Sequence, residues 1–405
     1  MKRVVLIFLA VVLLSGSLFV ASCIPKKVVA PDVVVWHSLT PAVEALSKEH
    51  VEKSFRKLYP DITVKMEHIS DLRTRLLAAI PAKMGPDLFI WAHDWTGEFS
   101  KAGYILPIDE FMTPELKAKY TDFAYEACTY DGKTWALPFA GETVALIYNK
   151  AMVKDPPENM TELIAQMKAH HKPQERKYGT AYPIDPYFVS AWVHAFGGWY
   201  FRDSDKTAGV NTEGALKGLK YLVDTFKPYM GPDPAGDLQR GVFHAGMAPF
   251  LIDGPWGIPA VEKAGLDFGV TLLPLISEII TMPKPFTGVQ VIWVAQGVKD
   301  KEKAFKFMQW FTTDLAHITE RATKFRYIPV LKEVLEVKEV KDNPVIMAFA
   351  EQMKYGILMP RGPEMMLTWG PFGDALTAFW LEPAKLKVLF DTAQKDIEEK
   401  IKKAQ

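Results

Sequence analysis

A short segment of the sequence, residues 85–98, brings aromatic and acidic side chains together. Residues 88–90 form an apolar run typical of a strand buried on both faces, and Trp91, Asp94 and Trp95 follow it. An indole offers a flat apolar face, and a carboxylate accepts hydrogen bonds from hydroxyl groups, so this combination suits a sugar, which has apolar ring faces and polar edges. In open α/β sheets, ligands bind beyond the carboxyl ends of the strands. The pattern fits equally well two core tryptophans with Asp94 as a helix N-cap.

Two further carboxylates, Glu142 and Asp185, are candidates to join Asp94 in a cleft. Glycoside hydrolysis needs two carboxylates about 5–10 Å apart, one of them with a raised pKa. A binding protein would use the same carboxylates as hydrogen-bond acceptors for sugar hydroxyls. The sequence does not measure their separation, so both functions stay open at this point.

Other chemistry lacks support in the sequence. The nine histidines form no HExxH motif, and the two cysteines form no CxxC motif, so no metal site is expected. Neither a phosphate-binding glycine loop nor a Gly-x-Ser-x-Gly elbow occurs. We therefore expect no cofactor and no nucleotide.

Length and charge limit the class of protein. A chain of 405 residues with 49% hydrophobic residues predicts an ordinary globular protein of two domains. Lys and Arg together number 48, as do Asp and Glu, and there is no basic run. This balance argues against a nucleic-acid partner.

The N-terminus is typical of an exported protein. Lys2 and Arg3 precede an apolar stretch, residues 4–14, which is too short for a transmembrane helix and fits a secretory signal. Residues 20–23, Val-Ala-Ser-Cys, resemble the bacterial lipoprotein box, in which the cysteine is acylated. We expect a signal peptide over 1–23, acylation of Cys23 and a tether over 24–31. An uncleaved anchor or an ordinary signal peptide is the alternative.

The elements that would position the first segment alternate between strands and helices. Residues 33–36 and 62–66 read as strands, and residues 71–84 as a helix. Thr40 followed by Pro41 predicts the start of a helix that runs to about Tyr59. Together with residues 88–90, this β-α-β-α-β order predicts a parallel sheet with right-handed crossovers.

Seven segments, in one order, resemble maltose-type solute-binding proteins of ABC importers, the extracellular solute-binding family 1. They are residues 85–98, 130–133, 145–150, 185–188, 253–256, 284–289 and 368–369. The resemblance implies an α/β, two-lobed periplasmic-binding-protein-like fold of type II, each lobe a mixed, mainly parallel sheet flanked by helices. It implies an N-terminal lobe of 32–140 plus 287–335 and a C-terminal lobe of 141–286 plus 336–405, with crossings near Ala140, Phe286 and Glu336. The ligand would lie in the cleft between the lobes.

The resemblance also implies sugar contacts, although each residue could instead be a packing residue. The matching positions are Trp91 and Asp94 in the first lobe, Glu142 near the hinge, Asp185 and Tyr187 in the second lobe, and the ring-stacking Trp256 and Trp369.

The chain departs from the family's best-known member at several of these positions. Trp95 stands where that protein has an Arg, and Gly370 and Gly373 replace a Tyr and an Arg. Arg73 occupies what would be a Glu, and an Arg only donates where a Glu only accepts. We include Trp95 and Arg73 among the candidate sugar contacts. Maltose, trehalose and a longer α-glucan all stay open as ligands.

The function implied is that of an extracytoplasmic binding protein, not an enzyme. It would capture a maltose-like oligosaccharide by hinge closure and deliver it to the permease subunits of an ABC transporter. We expect a monomer held at the membrane by its lipid anchor. The alternative is a secreted glycoside hydrolase that uses Asp94, Glu142 and Asp185.

Overall fold

The computed structural model describes residues 30–404. The predicted signal peptide, Cys23 and residues 24–29 of the predicted tether lie outside the described residues. Within residues 30–404, no helix combines the length and the apolar character that a membrane span requires.

The strands of the described chain are numbered β1 to β14 in order. They are Val33–His37, Val64–His68, Leu88–Ala92, Ile105–Leu106, Thr129–Tyr130, Lys133–Thr134, Ala136–Glu142, Ala145–Asn149, Phe201–Arg202, Thr207–Ala208, Phe250–Asp253, Phe268–Thr271, Phe286–Ala295 and Ile357–Leu358.

The α-helices are numbered α1 to α18 in the same way. They are Pro41–His50, Arg56–Leu58, Leu72–Ala79, Thr96–Lys101, Pro114–Lys119, Asp122–Ala127, Met160–His170, Pro186–Ala195, Glu213–Phe226, Gly236–His244, Ile258–Lys263, Lys301–Thr313, Leu315–Phe325, Lys332–Leu335, Lys338–Lys341, Pro344–Met353, Trp369–Leu381 and Leu386–Ala404.

The first sheet contains the predicted parallel strands. Its order is β14-β13-β3-β1-β2, and β4 and β7 also pair with β13. β1 pairs in parallel with both β2 and β3, which confirms the parallel arrangement expected from the alternating pattern. Side chains on β1 alternate between buried and partly buried, because a strand places successive residues on opposite faces.

Residues at its N-terminus determine where the helix after β1 begins. Thr40 caps α1 by accepting a hydrogen bond from the Val43 amide at 3.4 Å, and Pro41 occupies the first turn. A π-helical turn, Val51–Phe55, joins α1 to α2, so the helical segment ends at Leu58, one residue before the predicted end. The second predicted helix is shorter than expected, since α3 ends at Ala79 and the chain turns through Lys83, whose φ is 57°.

β13 is the strand on which the first sheet is centred. It lies antiparallel to β3 on one side and to β7 on the other. β7 ends at Glu142 and β8, which starts at Ala145, belongs to a second sheet. Only Thr143 and Val144 separate the two strands, so the chain changes sheets directly after a predicted site residue, Glu142.

The second sheet differs from the expectation of a mainly parallel arrangement. Its order is β11-β8-β12, and β8 is antiparallel to both neighbours. β11 and β12 run in the same direction because α11 connects them as a crossover, while β8 separates them in the sheet. The expectation of a mainly parallel sheet was wrong for this lobe.

Each sheet has its own core, which gives the molecule two lobes. The first core, in the first lobe, includes Val35, Phe55 and Phe311. The second core, in the second lobe, includes Trp192 and Phe379. The exact crossing points between the lobes stay a prediction. Val340 and Ile346 follow the predicted third crossing near Glu336, yet they pack in the first core.

Candidate functional site

A cavity of about 650 Å³ lies between the two lobes. Seven of the nine predicted contact residues line it: Trp91, Asp94, Glu142, Asp185, Tyr187, Trp256 and Trp369. They come from the ends of β3, β7 and β11 and from the first turns of α8 and α17. The volume is in the range of pockets that enclose small-molecule ligands.

The turn that carries Asp94 is fixed by His93. Nδ1 of His93 accepts a hydrogen bond from the Val289 amide at 3.0 Å, so its Nε2 carries the proton that is donated to the Met359 carbonyl, also at 3.0 Å. Burial lowers the pKa of His93 to about 4, which keeps the ring neutral. His93 is thus a positioning residue that ties the end of β3 to β13 and to the chain before Trp369.

Asp94 and Glu142 are unusual carboxyl groups. Burial is the main cause that raises the pKa of Asp94 to about 7, and the nearby Glu142 contributes to the same shift. Burial also raises the pKa of Glu142 to about 7, although a hydrogen bond from Gln290 Nε2 to its Oε1, 2.7 Å long, acts in the opposite direction. Asp94 Oδ1 is buried without a hydrogen-bond partner among the described residues. A ligand hydroxyl would satisfy it.

Asp185 has a local role as well as a place in the cavity. Its carboxylate is the N-cap of α8 and accepts a hydrogen bond from the Tyr187 amide at 2.9 Å. Pro186 fills the first helical position, where its missing N–H costs nothing. Burial raises the pKa of Asp185, whereas the Tyr187 amide lowers it. One carboxylate oxygen, Oδ1, therefore caps the helix, and this hydrogen bond holds the backbone of Tyr187 in place.

Trp256 presents its indole to the cavity and is 41% exposed. Its ring centroid lies 5.9 Å from that of Tyr187 and 6.0 Å from that of Phe188. Gly254 makes this position possible, because a Cβ on Gly254 would lie 2.2 Å from the indole. The preceding Asp253 is held by Arg240, whose Nε lies 2.6 Å from Oδ2.

Trp369 is more deeply packed than Trp256. It begins α17 and lies against Phe286, with ring centroids 5.8 Å apart, and against Tyr200 at 6.1 Å. Its remaining surface faces the cavity. The two tryptophans therefore differ in their surroundings. Trp256 is partly free of contacts, whereas Trp369 is packed against the core of the second lobe.

The structure does not bring Trp95 and Arg73 to the cavity. Trp95 is 5% exposed and stacks behind Trp91, with ring centroids 5.0 Å apart and planes at 21°. The 3₁₀ turn His93–Trp95 rotates it back into the first lobe. Nη2 of Arg73 lies 2.6 and 2.8 Å from the two carboxylate oxygens of Glu98. That ion pair holds the Nη2 group of Arg73 on Glu98, and Arg73 is not among the residues that line the cavity.

Other lining residues were not singled out from the sequence as contacts. They are Ala92, Pro186, Gln290, Met359, Gly370, Gly373 and Asp374. The sequence did offer a signal for Gln290, because it is a polar residue within the apolar run from Val289 to Ala295 of β13. Gly370 and Gly373 were noticed only as departures from the family. They leave room at the start of α17 where a larger side chain would fill the cavity.

A second cavity, of about 490 Å³, adjoins the first. The two share Trp91, Glu142, Trp256 and Gln290 among their lining residues. The other residues that line the second cavity lie at or near the start of α1, near the start of α11, at Ile90 and Gly141, and in residues 325–327. The cleft thus consists of two connected compartments, called here the main and the side compartment.

Among residues 30–404, one group has ligand atoms close enough for a metal ion: His37, Glu44 and His68, within 4.8 Å. The hydrogen bonds that these residues already make do not suit a metal ion. His37 Nδ1 accepts a hydrogen bond from the Leu39 amide at 3.2 Å, which leaves the proton on Nε2, and Glu44 is paired with Lys48. A metal ligand must offer a lone pair.

Comparison with known proteins identifies the family. Residues 51–348 match the bacterial extracellular solute-binding proteins. The chain belongs to this family. The maltotriose-binding protein of Pyrococcus abyssi is 41% identical to this solute-binding protein over 375 residues, 92% of this chain and 81% of the relative. The galactooligosaccharide-binding protein of Bacillus subtilis is 29% identical, with 95% of each chain covered.

A solved structure agrees with the family. The cyclo/maltodextrin-binding protein complexed with maltotetraose superposes on this solute-binding protein with a TM-score of 0.81 and 30% identity, covering 93% of this chain and 99% of that one. The two-lobed α/β fold is thereby confirmed. The matched family and these relatives are binding proteins, so this chain is an extracellular solute-binding protein and not a glycoside hydrolase.

Proposed function

We propose that the protein captures a maltodextrin of about three glucose units in the cleft between its lobes. The observation that carries the proposal is the main compartment itself, in which aromatic faces from Trp256, Tyr187 and Trp369 lie around the carboxylates of Asp94, Glu142 and Asp185. Aromatic faces suit the apolar faces of sugar rings, and carboxylates suit their hydroxyl edges. The name of the Pyrococcus abyssi relative and the maltotetraose in the solved structure support glucose units.

The mechanism is closure of the lobes around the ligand. Trp91 and Asp94 belong to the first lobe, whereas Asp185, Tyr187 and Trp256 belong to the second. A ligand that contacts both sets stabilises the closed form by its differential affinity for that form. The permease subunits of the transporter would then receive the ligand from the closed, monomeric protein.

Isothermal titration calorimetry with maltotriose, trehalose and a galactose-containing trisaccharide tests the ligand. We expect maltotriose to bind most tightly. Maltotriose at a hundred times its dissociation constant should raise the free energy of unfolding by about 2.7 kcal/mol. If the galactose-containing sugar binds and maltotriose does not, the proposed ligand is wrong.

The anchor is proposed from the sequence, since Cys23 lies outside the described residues. Acylation of Cys23 would hold the protein at the extracytoplasmic face of a membrane. One acyl chain gives only marginal binding, so two or more are expected. Mass spectrometry of the native protein should find a lipid-modified residue 23 at the N-terminus. An unmodified N-terminus beyond Cys23 would contradict the anchor.

A further inference from the structure

Gln290 lies at the junction of the main and side compartments. β13 runs from Phe286 to Ala295, and Gln290 is the one residue of this strand that is not buried. It is among the four residues that line both compartments, together with Trp91, Glu142 and Trp256. A ligand that extends from one compartment to the other therefore passes this side chain.

The surrounding strands leave space above Gln290. Its cross-strand neighbours are Ala92 on β3 and Ala140 on β7, so both flanking side chains are methyl groups. Residues opposite each other in antiparallel strands lie on the same face of the sheet. The Gln290 amide is consequently the only long side chain in this row of three.

A β-bulge fixes the direction of Gln290. Gln290 pairs with Ala140 and Val291 pairs with Pro138, so Phe139 has no partner on β13. The unpaired carbonyl of Phe139 instead accepts a hydrogen bond from the buried Arg321 Nη2 at 3.3 Å. A bulge of this kind alters the direction of neighbouring side chains and is common beside functional sites.

The amide of Gln290 is only partly used within the protein. Nε2 donates a hydrogen bond to Glu142 Oε1 at 2.7 Å, and the structure shows no other side-chain hydrogen bond of Gln290 to residues 30–404. Its carbonyl oxygen and its second N–H stay free for a ligand. Glu142 is confined from the other side, because its Oε2 lies 3.1 Å from the place where a Cβ on Gly288 would be.

We infer that Gln290 contacts the oligosaccharide and, as a unit with Glu142, recognises two neighbouring hydroxyl groups of the sugar at the junction of the compartments. The amide provides one acceptor and one donor, whereas the carboxylate provides acceptors. Neighbouring hydroxyls of a sugar can each donate and accept, so they match this combination. The inference rests on the proposed function and adds to it the residue that selects the ligand.

The test compares Gln290→Leu with Gln296→Leu. Leucine keeps a similar volume and removes the amide, and Gln296 is exposed directly after the same strand. Calorimetry with maltotriose should show at least tenfold weaker binding for Gln290→Leu, because the sugar would lose one donated and one accepted hydrogen bond, each worth roughly a factor of three to ten. Gln296→Leu should bind like the wild type. If Gln290→Leu does not fold, Gln290→Met replaces it.

A double-mutant cycle that combines Gln290→Leu with Glu142→Ala tests whether the two residues act together. The double variant should lose much less affinity than the product of the two separate losses, because either change disables both residues. Fully multiplicative losses, or a Gln290→Leu affinity within twofold of the control, would overturn the inference alone. Wild-type protein that binds none of the sugars tested would overturn the proposed function, and the inference with it.

Discussion

Trp256 and Trp369 face the same cavity but are held by different surroundings. Trp256 is 41% exposed, whereas Trp369 packs against Phe286 and Tyr200. Half coverage of an indole by a sugar removes roughly 80–120 Å² of apolar surface, worth on the order of 2–3 kcal/mol. Both side chains should thus contribute to binding, and only Trp369 should also contribute strongly to folding.

Alanine at each position should separate the two contributions. We expect Trp256→Ala to weaken maltotriose binding at least tenfold with a small change in the ligand-free melting temperature. Trp369→Ala should weaken binding similarly and also cost about 3 kcal/mol of stability, because it leaves a cavity in the second core. Calorimetry and thermal melts on both variants measure this. A collapsed melting temperature with unchanged affinity for Trp256→Ala would place that residue in the core instead.

The carboxyl group of Glu142 should make the ligand-free protein less stable as the pH rises. Its pKa is about 7 in the folded state and near 4 when unfolded, so between these values the folded state binds more protons. The contribution of Glu142 to the unfolding free energy should therefore fall from pH 4 to pH 7 and then level off. Glu142→Gln removes this loss, so its free energy of unfolding at pH 8 should be higher than that of the wild type. We expect a difference of only about 1 kcal/mol, because the side chain of Glu142 is still partly open to water.

Ligand-free thermal melts at pH 5 and pH 8 measure this effect. The difference between the variant and wild type should be smaller at pH 5. A Glu142→Gln variant that melts below wild type at pH 8 would show that the charged carboxylate stabilises the fold.

Single residues were predictable from the sequence to different degrees. The N-cap role of Asp185 was not predicted, although Asp followed by Pro is a helix-start signal and the structure shows that cap. Trp91 and Trp95 were indistinguishable, since both flank Asp94. Only the 3₁₀ turn after β3 decides that Trp91 faces the cavity while Trp95 returns to the core. Such a turn depends on the contacts of His93 with Val289 and Met359, which are distant in the sequence.

At the scale of elements, α4 approaches the chain before α17 very closely. The Gly97 amide donates a hydrogen bond to the Arg361 carbonyl at 2.9 Å, and a Cβ on Gly97 would lie 2.1 Å from that oxygen. This contact joins the first lobe to the segment that leads to Trp369. Backbone atoms on both sides leave little freedom to adjust.

Gly97→Ala should therefore lower the free energy of unfolding by about 1–3 kcal/mol, as overpacking does. The matched control is Gly241 within α10, where an added Cβ would meet nothing within 4 Å. Gly241→Ala should raise stability by about 0.5–1 kcal/mol through helix propensity. Denaturant titration of both variants checks the pair. Equal effects of the two substitutions would contradict the close approach.

The elements themselves were predictable where the signal is local. Thr40 and Pro41 marked the start of α1, and apolar runs marked β1 and β3. The antiparallel second sheet was not predictable, because the direction of β8 relative to β11 and β12 depends on pairing between segments about a hundred residues apart. Periodicity reports that a strand exists but not which partner it takes.

At the scale of the whole molecule, ligand binding should bring the lobes together. Small-angle X-ray scattering should show a smaller radius of gyration with saturating maltotriose than without ligand. At a maltotriose concentration that half-saturates the wild type, Trp256→Ala should show less of this change, because its weaker binding leaves most of the variant without ligand. An unchanged radius of gyration for saturated wild-type protein would argue against closure.

The connection between the two compartments has a consequence for which nutrients the cell takes up. In the proposed binding mode, a single glucose unit would fill part of one compartment and contact few of the residues on both lobes. A longer chain would extend past the four residues shared by the compartments, Trp91, Glu142, Trp256 and Gln290. Free monosaccharide would compete poorly for the protein even when it is abundant. Discrimination by chain length would therefore take place at capture, before any transport energy is spent.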